Sequence, residues 1–250
     1  MMTKIGNKEK LSKQHGGFGI EILYPGTFNP KANDTGIGTI GRIDQAKVMP
    51  GTLIPMHPHR DDEILTYLRS GMVKHLDSEG ITEIISGSKL MMMNAGARFY
   101  HEELVLEEGG VLEGLQIFIR PGQHALQPQV QFYDLPEKYS TNKWRKIAGN
   151  EDGYPLEIRS DTQIQDIRLE KGSKETLPIT PGENQSILLY VFDGKIQVND
   201  ELILEKGESV LIENSSPAFK AIETSDVVLF ITNKGATYFE RGMYSGNQKN

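Results

Sequence analysis

Two short stretches of this chain carry residues able to hold a metal ion. They are His57-Pro58-His59 and His101-Glu102-Glu103. In a β-strand, side chains at i and i+2 leave the same face. Each stretch would therefore aim two potential ligands at one point. A lone His-x-His is as readily a solvated surface pair. A second i, i+2 pair some forty residues later favours a shared ion. Asp61, Asp62 and Glu63 follow the first pair closely and are further candidate ligands. If strands distant in sequence face each other across a barrel, His57, His59, His101 and Glu103 can converge. Three nitrogens and one carboxylate would leave open positions for water or substrate, as catalytic metal sites do. The chain has no cysteine, so thiolate ligands, disulfides and cysteine nucleophiles are excluded. Imidazole and carboxylate ligands suit iron, manganese, nickel, cobalt, copper or zinc.

The elements that must position these groups read as strands. Short apolar runs such as ILTYL, MVKHL, KLMMM, VLEGLQIFI, SILLYVF and VVLFIT are separated by 26 glycines and 12 prolines. Helical periodicity is hard to find. This pattern predicts an all-β sandwich or barrel. Residues 1–17 and 236–250 read as loose polar ends. From Pro121 to Pro155 the β runs thin out, which suggests a connection between two halves. Trp144 in this segment is expected to pack between them. The halves repeat weakly. Gly51-x5-His57-x-His59 aligns with Gly172-x5-Pro178-x-Thr180, and Tyr67…Gly71 aligns with Tyr190…Gly194. The site-bearing half would then be the first. His15, His75 and His124 are expected to face solvent. Met91, Met92 and Met93 alternate across a strand, with one face in the core.

Composition narrows the class. The net charge of −7 argues against a broad nucleic-acid face. No apolar run approaches the ~18 residues of a membrane span. The N-terminus lacks a secretory apolar segment, so a cytoplasmic location is the expectation. GIGTIG does not open a helical pattern, and no Gly-x-Ser-x-Gly is present.

Gly51-x5-His57-x-His59-x3-Glu63-x7-Gly71 resembles the first motif of the cupin superfamily. HPHRDDEILTYLRSGMVKHLDSEG and MNAGARFYHEE resemble the bacterial pirin family more closely. The resemblance is strong from about Gly41 to Pro121 and weaker through YVFDGKIQVND. It implies a bicupin, two jelly-roll-like β-barrels face to face. It implies an N-terminal arm and first strands over 1–40, a metal-bearing cupin domain over 41–121 and a connection over 122–155. A cupin domain without ligands over 156–235 and a tail over 236–250 would follow. By the same resemblance the ligands are His57, His59, His101 and Glu103. The metal is one divalent ion, iron(II) first, with nickel, cobalt, manganese, copper and zinc as alternatives. Other cupins use the position of Glu63 as a ligand. Here it becomes a hydrogen-bond partner of a ligand histidine or a structural residue. Asp62 replaces a commonly apolar residue, Glu102 a small one, and Tyr100 is bulky for its place. The implied activity is a dioxygenase that opens a flavonol such as quercetin, or another phenol or enol, with O2. Glu103 would act as its base. The alternative is a metal- or redox-responsive regulator acting through a protein partner.

Overall fold

The computed structural model describes residues 1–28 and 33–249. Residues 29–32 of the expected arm, and Asn250 at the tail, lie outside that range. Nearly every element is a strand, as the turn-punctuated sequence predicts. One eleven-stranded sheet contains all strands from Leu11–His15 to Gln129–Asp134. A seven-stranded and a four-stranded sheet build the second half. The fold is a bicupin. Among the described residues, no helix is long and apolar enough to cross a membrane.

The central strands are buried on both faces, and their two faces have different neighbours. In Glu63–Ser70, Leu65 and Tyr67 join the core between the halves, while Ile64 and Leu68 face the first barrel's interior. In Gln185–Asp193, Leu188, Tyr190 and Phe192 join that same middle core, while Ile187, Leu189 and Val191 fill the second barrel. Period-2 alternation thus serves two apolar layers at once. Met92 belongs to the middle core and Met91 and Met93 to the first interior. All three methionines are buried, so both faces of their strand are core.

The aligned positions of the two halves play the same structural part. Gly51, Gly71, Gly172 and Gly194 all have positive φ (74°, 78°, 88° and 89°). At Gly71 a Cβ would also stand 2.4 Å from Leu112 Cα. The aligned tyrosines cross the middle in opposite directions. Tyr67 donates to Asp166 Oδ2 at 2.7 Å, and Tyr190 donates to Gln45 Oε1 at 2.6 Å. Asp166 also binds Arg69 at 2.8 Å and Arg145 at 2.7 Å, so its buried charge is matched.

The ends depart from expectation. Met2–Ile5 pairs with Ser209–Ile212 of the second half, and Leu11–His15 pairs with Phe18–Leu23. The polar residues of both strands face outward while Ile5 is fully buried, which is why the segment reads as loose. Trp144 packs on the second barrel rather than between the halves. Its ring meets Phe219 at 6.1 Å and its Nε1 donates to Thr176 O at 2.9 Å. The connecting segment contains two paired strands. Gln129–Asp134 lies beside Lys89–Asn94, and Arg145–Gly149 lies beside Thr162–Leu169.

The arm carries a pH-sensitive group. Lys10 is 8% exposed and donates to Tyr190 Oη at 2.8 Å. Burial pushes its ammonium down to about 8, against the pull of Glu21 and Glu208. The folded-state pKa lies below the unfolded value, so the unfolded chain holds more protons between about pH 8 and 10.5. Stability contributed by Lys10 is expected to rise with pH across that window and to stay level below about pH 8. Denaturant midpoints of the wild type and Lys10→Met, followed from pH 7 to 10.5, check this. Parallel curves would remove Lys10 as the source.

Candidate metal centre

The strand Phe99–Val105 is the spine of the site. Phe99, His101, Glu103 and Val105 are buried, and the residues between them are less so. On one side it pairs with Leu53–His59, placing His101 opposite His57 and Phe99 opposite His59. On the other it pairs with Met72–Asp77, placing His101 opposite Asp77. Leu53–His59 is the outermost strand of its sheet, which tolerates Pro55 and Pro58 because no neighbour needs their missing N–H. The register shifts between His101 and Glu103, which pairs with Ile54. Two residues of one strand, Pro55 and Met56, thus face one of the other, Glu102. This bulge lets Ile54, His57 and His59 all reach the cavity while Met56 stays exposed.

His57, His59 and His101 converge, their ligand atoms within 4.8 Å of one another. His101 Nε2 lies 3.0 Å from His57 Nε2 and 3.1 Å from His59 Nε2. Two nitrogens on one ion, at ~2.1 Å and a right angle, lie about 3.0 Å apart. The hydrogen bonds say which nitrogens are bare. His57 Nδ1 donates to Pro55 O at 2.9 Å, so its Nε2 carries a lone pair. His75 Nε2 donates to Asp77 Oδ2 at 3.1 Å, leaving His75 Nδ1 to accept from His101 Nδ1 at 3.2 Å. His101 Nε2 is therefore bare as well. Burial pushes His101 down to about 2 and His59 down to about 3, and the neighbouring imidazoles add to both shifts. Both shifts keep His59 and His101 neutral at pH 7. Two lone pairs 3.0 Å apart repel unless an electrophile sits between them. His59 Nδ1 is buried without a hydrogen-bond partner, so its Nε2 is the atom aimed at the cluster. Three imidazoles on this geometry fit a single transition-metal ion.

His75 corrects the sequence reading. It was expected in solvent, and it is fully buried against His101. The signal was present: Lys74 is exposed, so its strand neighbours on either side must face inward. His15 and His124 are exposed, as expected.

Glu103 is not in the three-histidine cluster, but it lines the same cavity. Burial pushes its carboxyl up to about 7, partly opposed by a hydrogen bond from Gln116. Glu63 is fully buried, yet it accepts from Asn94 Nδ2 at 2.8 Å, Arg159 N at 2.7 Å and Arg159 Nε at 2.7 Å. Of its two expected roles, it therefore takes the structural one and ties the first barrel to the second half. The side chain that hydrogen-bonds a histidine of the cluster is His75, at His101. Asp61 accepts from Ala125 N at 2.6 Å, and Asp62 accepts from the C-terminal segment. Neither joins the histidines.

The cavity beside the cluster has a volume of about 240 Å³. Ile54, Val73, Val105 and Leu112 give it apolar walls. Its polar groups are His57, His59, Thr66, Glu103, Gln116, Tyr244 and the Arg42–Asp44 pair, joined at 2.6 Å from Nε to Oδ1. An apolar pocket with a few convergent polar groups is the usual form of a small-molecule site.

Comparison with known proteins agrees with this picture. The Pirin family model matches residues 24–119, and the model for the quercetinase C-terminal cupin domain matches residues 147–231. A protein of Zymomonas mobilis named "Putative quercetin 2,3-dioxygenase" is 29% identical over 207 residues, covering 82% of this chain and 86% of its own. A pirin-like protein of Caulobacter vibrioides is 26% identical, covering 79% and 84%. Among solved structures, a bacterial pirin of Escherichia coli in complex with nickel(II) superposes with a TM-score of 0.80. It is 20% identical, and the match covers 93% of this chain and 99% of that one. Quercetin 2,3-dioxygenase of Acinetobacter baumannii superposes at 0.75 with 23% identity, covering 94% and 88%. At these identities the superpositions establish the fold.

Proposed function

Since this chain belongs to the pirin family, we propose that it is a metal-dependent dioxygenase acting on a planar phenol or enol, of which a flavonol such as quercetin is the type. The observation that carries this reading is His101 Nε2 lying 3.0 Å from His57 Nε2 and 3.1 Å from His59 Nε2, with His57 and His59 on the wall of an apolar cavity. The names of the relatives support it. His57, His59 and His101 would hold one divalent ion, iron(II) as the first choice, and Glu103, outside the cluster but in the same cavity, would have to move toward the ion to become a fourth ligand. The bound ion supplies Lewis acidity that lowers the pKa of a substrate hydroxyl.

The remaining work falls to the chain. The apolar walls seat the flat ring and keep bulk water from it. Glu103, in the same cavity, accepts the proton released by the substrate hydroxyl and holds it beside Gln116. Asp77, through His75, keeps the His101 proton on Nδ1 and its lone pair on the ligand atom. Both atoms of O2 enter the product, so no external reductant is required. The space beside the histidines favours an enzyme over the regulatory alternative, which needs no cavity.

The test is oxygen uptake by protein reconstituted anaerobically with iron(II), or nickel(II), on addition of quercetin. The flavonol absorbance is expected to fall with one O2 consumed per molecule. Glu103→Gln is expected to slow turnover by about 10²–10⁴-fold. A metal-loaded protein that consumes no oxygen with any planar phenol would end the dioxygenase reading.

A further inference from the structure

The buried Asp62 meets a segment that lies beyond both matched family models, residues 239–249. Asp62 is 1% exposed and accepts from Tyr244 N at 3.1 Å, Ser245 N at 2.8 Å and Ser245 Oγ at 2.7 Å. Ser245 O accepts from Arg120 Nε at 2.9 Å. Met243 N donates to Arg60 O at 3.0 Å, and Gln248 N donates to Thr35 Oγ1 at 3.0 Å. The approach is close enough that a Cβ on Gly41 would stand 2.0 Å from Ser245 O. The expected loose tail is a docked segment, with Ser245 fully buried.

The docking delivers one side chain to the metal site. The half-buried Tyr244 lines the cavity. Its ring lies 5.4 Å from that of His59 and 5.4 Å from that of Phe118. Arg42 Cζ stands 5.4 Å from its centroid and 5.2 Å from that of Phe118. Two aromatic rings and a guanidinium thus form one continuous wall next to a candidate ligand. A phenol whose oxygen reaches the histidines comes within stacking range of Tyr244. A fused or multi-ring phenol extends along Phe118 as well, and a single ring does not.

We propose that Tyr244 is a specificity-determining residue, held in place by Asp62, that selects planar multi-ring phenols over single-ring ones. The inference rests on the reading of this site as a phenol-binding metal centre.

The experiment uses nickel(II)-loaded full-length protein under anaerobic conditions, with quercetin and catechol as probes and their absorbance shifts as the readout. Tyr244→Ala is expected to weaken quercetin about tenfold, the size of an aromatic stacking contact, and catechol less than about twofold. Its nickel content should match the wild type, which reports an intact barrel. Tyr244→Phe should restore quercetin binding. Asp62→Ala should reproduce the loss for quercetin with the tyrosine still present. If Tyr244→Ala keeps the wild-type ratio of the two dissociation constants, the inference is overturned and the reading of the site stands. If the loaded wild type binds neither phenol, the reading of the site fails first and carries the inference with it.

Discussion

Replacing His101 with alanine is expected to take the bound transition metal from about one ion per chain to a small fraction of that. His101 is the hub of the cluster. Its Nε2 is the atom that both His57 and His59 approach, at 3.0 and 3.1 Å. The other two histidines sit on one edge strand, and alone they form only a two-toothed chelate. Structural zinc bound by four ligands is worth about 10–16 kcal/mol, so one ligand's share is about 3–4 kcal/mol, or a few hundredfold in affinity. Elemental analysis of wild type and variant, both purified without chelator or histidine tag, reads the effect directly. A wild type that carries no metal and takes up none on reconstitution would refute the metal centre.

The second large effect is expected at a residue that touches no metal. In Asp77→Asn, the amide oxygen can still accept from Glu79 N and Ile81 N, as Asp77 Oδ1 does at 2.9 and 3.0 Å. The amide nitrogen then faces His75 Nε2 as a donor. To accept, His75 must move its proton to Nδ1. His101 Nδ1 then becomes the acceptor, and the His101 proton is driven to Nε2, the ligand atom. One amide substitution thus places a proton where the ion belongs. Metal affinity is expected to fall about 10–100-fold, the range seen when partners of ligand histidines are lost. His75→Phe, which fills the same space without a nitrogen, should give a loss of similar size. Calorimetric titration with nickel(II) at constant pH measures both. Affinities within about twofold of wild type in both variants would show that His101 needs no such support.

The sequence carried the parts of this site that obey local rules. Two i, i+2 pairs announced which side chains share a face, and the structure brings three of the four together. The all-β class was legible from glycine and proline punctuation, and the repeat from paired glycines that share a positive φ. What could not be read was any feature set by a neighbour distant in sequence. The bulge opposite His101 depends on which strand pairs with it. Glu63 looked like a partner for a histidine because it is close in sequence, yet its partners are Asn94 of another strand and Arg159 of a loop in the second half. The Asp62–Ser245 contact spans 183 positions. Only the presence of an acid at a commonly apolar position hinted at it. The burial of His75 was the one missed feature with a local signal.

The two barrels also differ in what fills them. Ile167, Leu189, Ile196, Phe219 and Leu229 pack the interior of the second, while the first keeps a hollow of about 240 Å³. Unfilled apolar space costs about 24 cal/mol per Å³, so a dry hollow of that size would cost on the order of 6 kcal/mol. Whole domains are stable by only about 5–15 kcal/mol. A single barrel of this kind would be left with little margin. The solid barrel shares its middle core with the hollow one and is joined to it by Tyr67–Asp166 and Tyr190–Gln45. Division of labour between the two halves then has a thermodynamic form. The half without histidines is the ballast that allows the other to remain hollow.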